Sequence, residues 1–106
     1  MRGCLNKNVQ NQILEEDIEL LRVIAHPIRL KIVIELIKNK TLNVTQLMKI
    51  LDIPQSTTSQ HLSKLKRNVL STERKGIEVY YHIQNSKANK IVEMLQDTNC
   101  KNITNC

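Results

Sequence analysis

The chain contains no tryptophan and no phenylalanine, and Tyr80 and Tyr81 are its only aromatic residues. Its core must therefore be aliphatic. It also lacks the stacking platforms on which recognition of RNA and single-stranded DNA relies. With only two glycines it has no glycine-rich phosphate loop. No Ser-His-Asp or Cys-His arrangement has a supporting context, so catalysis has no foothold and no enzyme or cofactor is expected. No apolar run approaches the length that a bilayer demands. The opening MRGCLNKNVQNQ is too polar for the apolar part of a signal peptide, so a cytoplasmic protein with reduced thiols is expected. Its three cysteines, Cys4, Cys100 and Cys106, are odd in number and sit near the termini, which does not make a disulfide framework.

What is present is one domain's worth of chain, 106 residues with a formal net charge of +6. That balance favours an acidic partner such as nucleic acid or anionic lipid. The distribution is uneven. Glu15, Glu16, Asp17 and Glu19 make an early stretch acidic, which reads as a solvated first turn complementing a helix dipole. Between Pro54 and Gly76 stand Lys64, Lys66, Arg67, Arg74 and Lys75, opposed only by Glu73. The positive field is concentrated in the second half.

Residues 1–10 and 97–106 lack periodicity and are expected to be flexible tails around a domain at 11–96. From Ile13 to Ala25, Leu14, Ile18, Leu21 and Ala25 recur at helical spacing. HPIRLKIVIELIKNK then starts a helix at Pro27, whose fixed φ suits a first turn. Ile28, Ile32, Val33, Leu36 and Ile37 line one of its faces, with further apolar residues beside them, so it reads as the buried centre. Val44, Leu47, Met48 and Leu51 give a two-turn helix that Asn43 can cap. LDIP breaks it, and Pro54 opens another helix; two helices so closely spaced outline a helix-turn-helix. Val79, Tyr81 and Ile83 alternate with Glu78, Tyr80 and His82 as in a half-buried strand, and Gly76 stands where a hairpin needs positive φ. Ala88, Ile91, Val92 and Leu95 describe a last amphipathic helix. The fold class expected is mainly α with a small β-hairpin, in the order helix, helix, helix-turn-helix, hairpin, helix.

In IPQSTTSQHLSKLKRN, Thr58, Leu62, Leu65 and Val69 share a narrow arc that must pack inward. The opposite arc holds Ser56, Thr57, Gln60, Ser63, Lys64 and Arg67, with His61 on the flank. Short donors and acceptors near the N-terminus and long cations toward the C-terminus are the inventory of a major-groove helix. Gln pairs with adenine edges, Ser and Thr take either role, and Lys and Arg reach guanine or phosphate. Arg74 and Lys75 at the hairpin tip are placed to lie along an adjacent phosphate backbone or minor groove. A solvated helix face is the plainer alternative; the two-helix spacing, the cationic end and the basic hairpin together favour double-stranded DNA.

The stretch IAHPIRLKIVIEL followed by NVTQLMKILDIPQSTTSQHLSKLKRNVLSTERKGIEVYYHI resembles the ArsR/SmtB family of bacterial winged-helix repressors. The resemblance covers roughly residues 18–95, and it rests on the AHPxR start, the S-Q-H-L core of the recognition helix and the closing VYYHI. It implies a homodimer joined through the first and last helices, two recognition helices on a palindromic operator, and repression by occluding a promoter. The apolar stripes of those two helices accord with it, since a two-fold partner would cover Leu14, Ile18, Leu21, Ile91, Val92 and Leu95. Half-sites would then lie about one helical turn, ~34 Å, apart. The chain departs from the family where Pro54 stands for a frequent Ser, Ser56 for a frequent Pro and Thr58 for a usual Val.

Many members of that family sense metals through a Cys-x-Cys pair before the recognition helix, where this chain has Asn43 and Thr45. Amides and hydroxyls do not replace thiolates on a soft metal. SKANKIVEMLQD contains no histidine, so the family's other site is missing too, and no metal site is expected. His26, His61 and His82 are explained locally, by the helix start, the DNA face and the hairpin strand. Cys4, Cys100 and Cys106 leave a thiol- or metal-responsive repressor as an alternative. A winged-helix protein-interaction module would call for a neutral or acidic recognition face, which the chain lacks. A membrane-surface binder would need Trp, Phe or a broad Leu face to insert.

Overall fold

In the computed structural model, residues 13–97 are described. The elements follow as α1 (Glu15–Ile24), α2 (Pro27–Asn39), β1 (Leu42–Asn43), α3 (Val44–Leu51), α4 (Gln55–Lys66), β2 (Leu70–Lys75), β3 (Glu78–Ile83) and α5 (Ser86–Leu95). The two tails expected at 1–10 and 97–106 lie outside the described residues except for Asp97, and so do Cys4, Cys100 and Cys106.

Helix α2 starts where a capping side chain and a proline coincide. His26 Nδ1 accepts the Ile28 backbone N–H at 3.1 Å, satisfying one of the orphan donors of the first turn, and Pro27 at the first helical position has no N–H to satisfy. Ile32, Val33 and Leu36 of this helix are buried, with Ile28, Leu30, Ile34 and Ile37 packed against the core around them. Leu20, Val23 and Ile24 of α1 and Ala88 and Val92 of α5 complete that core from the two ends of the chain. An ion pair between Lys87 Nζ and Asp17 Oδ1, 2.6 Å long, ties α5 to the first turn of α1. Asp17 is therefore more than a solvated first-turn carboxylate, because it also accepts the Leu14 N–H.

Helix α3 opens on a reciprocal cap: Gln46 N–H donates to Asn43 Oδ1 at 2.8 Å, and Asn43 N–H donates to Gln46 Oε1 at 2.9 Å. It ends at Asp52, whose left-handed φ of 57° turns the chain sharply. Ile53 and Pro54 then lead into α4. Thr58 is fully buried, and both its N–H and its hydroxyl donate to the carbonyl of Pro54, at 3.0 and 2.9 Å. Leu62, Leu65 and Val69 follow on the same inward side, so the expected packing arc of α4 is the observed one.

The sheet has three antiparallel strands in the order β1-β3-β2, one more than the hairpin expected. β1 is only two residues long and pairs Leu42 with Tyr81 and Asn43 with Tyr80. It carries no periodicity of its own, and it exists because β3 offers it a non-local edge. The hairpin pairs Leu70 with Ile83 through Lys75 with Glu78. Gly76 turns it at φ 66°, a conformation that a residue with a Cβ adopts only under strain. Asn85 closes the structure, donating to the Asn68 carbonyl at 3.2 Å and capping α5 through the Lys87 N–H at 2.9 Å.

Candidate nucleic-acid interface

With Thr58, Leu62 and Leu65 turned inward, the other side of α4 faces solvent. Ser56, Gln60, Ser63, Lys64 and Arg67 are exposed there, and Thr57 is half-buried beside them. The surface thus offers a hydroxyl and an amide in the first two turns and two cations in the last. Pro54, which has no side-chain donor or acceptor, precedes the helix, so no side chain caps its first amides. Helix N-termini of this kind favour phosphate.

The hairpin presents Arg74 and Lys75 on the exposed half of β2. Lys75 Nζ lies 5.4 Å from the centroid of the Tyr80 ring on the neighbouring strand, a cation–π contact that orients it. Ile77, at the tip beside Gly76, is 91% exposed. An aliphatic side chain held out at the tip, just past the two cations, is an addition that the alternation in the sequence did not mark.

His61 is set apart from the exposed residues of this face, on its flank. It is half-buried, with its ring centroid 4.5 Å from that of His26, and its Nδ1 is buried without a hydrogen-bond partner among the described residues. Burial holds its pKa below the ordinary histidine value, and the charges of His26, Arg29 and Lys64 push it further down. The imidazole joins α4 to the start of α2 through its contact with His26.

The six residues expected at a dimer contact divide into two sets. Leu14, Ile18 and Leu21 are exposed along α1, and Leu95 is exposed on α5 with Ile91 half-buried beside it. Val92 does not belong with them. At 2% exposure within the single chain it is spent on the core, and it has no surface left for a partner. Met94, 77% exposed, stands on the same helix as Leu95 and was not anticipated.

Asn43 and Thr45, at the positions of the family's thiolate pair, have other surroundings. Asn43 is buried as the cap of α3, and Thr45 is exposed. Among the described residues no group of three or more His, Cys, Asp or Glu is placed to hold a metal ion. No described helix is long and apolar enough to cross a membrane.

A helix-turn-helix followed by a basic hairpin, carried on a three-helix frame, defines a winged helix-turn-helix regulator. Residues 26–68 match the family described as bacterial regulatory protein, arsR family. The chain belongs to that family. It is 50% identical over 95 residues to the transcriptional repressor PagR of Bacillus anthracis, covering 90% of this chain and 96% of that protein. The crystal structure of PagR superposes with a TM-score of 0.77 at 53% identity, over 81% of this chain and 99% of that one. The HTH-type transcriptional repressor SmtB of Mycobacterium tuberculosis is 41% identical over 73 residues, which are 68% of this chain and 53% of that protein.

Proposed function

We propose that this chain is a transcriptional repressor that binds a specific duplex operator as a homodimer and hides the promoter from polymerase. The observation that carries this reading is the exposed face of α4, where Ser56, Gln60, Ser63, Lys64 and Arg67 stand free opposite a buried apolar arc. Ser56, Thr57 and Gln60, in the first turns, read base edges in the major groove; Lys64 and Arg67 hold the helix against guanine or phosphate. Arg74 and Lys75 grip the neighbouring backbone or minor groove. His61 supports the helix from behind.

The dimer forms through Leu14, Ile18 and Leu21 of α1 and Ile91, Met94 and Leu95 of α5. Leu14, Ile18, Leu21, Met94 and Leu95 are exposed and Ile91 is half-buried, an apolar surface that would otherwise lie in water. A two-fold axis through that contact makes the operator an inverted repeat. The protein works in the cytoplasm as a binding protein, with no catalytic step, no cofactor and no membrane partner. Similarity to PagR and SmtB, both repressors by name, supports this reading over activation.

Selection of bound duplexes from a random pool tests it. The expected result is an enriched inverted repeat whose half-sites are centred about one helical turn apart. A pool that stays random after several rounds excludes sequence-specific binding.

A further inference from the structure

Between α1, the start of α2 and the end of α4 lies a cleft of about 410 Å³ lined by Glu19, Arg22, Arg29, Ser63, Lys64 and Arg67, with Val23 and Asn68 beneath them. Four of these side chains are cationic and one is anionic. Glu19 is occupied by its ion pair with Arg22 on the same helix. Three guanidinium groups and an ammonium therefore share one concavity with a single carboxylate between them.

That arrangement suits an anion, since the like charges of Arg29, Lys64 and Arg67 repel one another. Arg29 is half-buried while Arg22, Lys64 and Arg67 reach solvent, and Glu15 and Glu16 line only the adjoining cleft. The Nε of Arg29 is buried and has no hydrogen-bond partner among the described residues. A buried donor without an acceptor is unfavourable, more so when it is charged. The positive field of the same corner is felt by His61, whose proton affinity is lowered by burial and then by His26, Arg29 and Lys64.

We propose that this cleft is a binding site for a phosphate group, held between Arg22, Arg29 and Arg67. Guanidinium forks match the oxygens of a phosphate two at a time, which a chloride or a single water does not reproduce. The Ser63 hydroxyl and Lys64 ammonium line the same cleft and supply further donors. Two sources carry this chemistry, a backbone phosphate of bound DNA and a small phosphate-bearing molecule. Arg67 and Lys64 belong both to the cleft and to the outward side of α4, so DNA lying on that helix passes its rim. The site extends the proposed function, bringing Arg22 and Arg29, from outside the recognition helix, into contact with anions.

The test has two arms, both on the full chain. Calorimetric titration with inorganic phosphate, at ionic strength matched with chloride, is expected to show one saturable site per chain. Arg29→Gln and Arg22→Gln should each weaken it at least ten-fold, and Lys38→Gln, on the far end of α2, should leave it unchanged. Arg22 is an exposed residue of α1, so its variant carries the test if Arg29→Gln does not fold. The second arm measures duplex affinity against salt. A log–log slope lowered by about one in Arg29→Gln assigns the occupant to the DNA backbone. An unchanged slope, with phosphate binding lost in the variants, assigns it to a small molecule. An unchanged slope together with no phosphate binding, or with binding that both variants keep, overturns the site. The calorimetric arm needs no DNA, so it stands or falls separately from the repressor reading.

Discussion

The imidazoles of His26 and His61 lie with ring centroids 4.5 Å apart and planes tilted by 44°, joining the start of α2 to the middle of the recognition helix. His26 accepts the Ile28 N–H through Nδ1, so its ring also caps α2. Burial in this contact disfavours the charged form of His61. The unfolded chain takes up a proton at His61 near the ordinary value of 6.5, while the folded chain does so only at lower pH. Below pH 6.5 the unfolded state thus binds more protons, and stability falls as pH drops through the folded pKa. Urea unfolding at pH 7.5 and 5.5 should show lower stability at the acid end, with a smaller difference in His61→Asn. Asp17, whose pKa is lowered first by its hydrogen bond with Lys87, loses its contribution only as the pH falls through still more acid values.

The outward face of α4 and the hairpin should respond differently to truncation. Gln60→Ala and Ser56→Ala are expected to cost roughly 1–3 kcal/mol of discrimination between the operator and a mutated site. Arg74→Ala and Lys75→Ala should weaken binding to every sequence alike and lower the salt slope by about one each. Fluorescence anisotropy on two duplexes at several salt concentrations separates the two behaviours. Four indistinguishable variants would contradict the division between base and backbone contacts.

Asn43 has exchanged a ligand's position for a structural one. Its side chain caps α3 and is matched by Gln46 reaching back to its own N–H. Asn43→Ala should cost about 1 kcal/mol, within a range of roughly 0.5–2, by chemical denaturation. An unchanged midpoint would mean that water replaces the cap.

Leu21 and Leu95, both more than half exposed, are predicted to be buried by the second subunit. Leu21→Glu and Leu95→Glu should give a folded monomer by sedimentation and lose operator affinity by well over ten-fold. In an isolated monomer the same substitutions would be nearly neutral, and that outcome would contradict the proposed contact.

Most of the frame was legible because its signals are local. The inward arc of α4, the Pro27 start of α2, the Asn43 cap and the Gly76 turn each depend on residues within one or two turns of chain. β1 was not legible, since two residues have no period and Leu42 pairs with Tyr81 far along the chain. On α1 the stripe Leu14, Ile18, Leu21 was visible, yet the core takes Leu20, Val23 and Ile24 from the adjoining side. Periodicity locates apolar faces without deciding which one the domain keeps for itself. Val92 shows the same ambiguity on α5. His61 and Arg29 escaped for another reason: their surroundings are made by helix crossings, which spacing along one helix does not reveal.

The central claim is that the exposed side of α4 enters the groove of DNA, and amide chemical-shift mapping with the selected duplex tests it most directly. The account predicts large shifts along 56–67 and at 74–77, with α3 and the exposed side of α5 little changed. Shifts confined to α1 and α5, or none at saturating duplex, would contradict it.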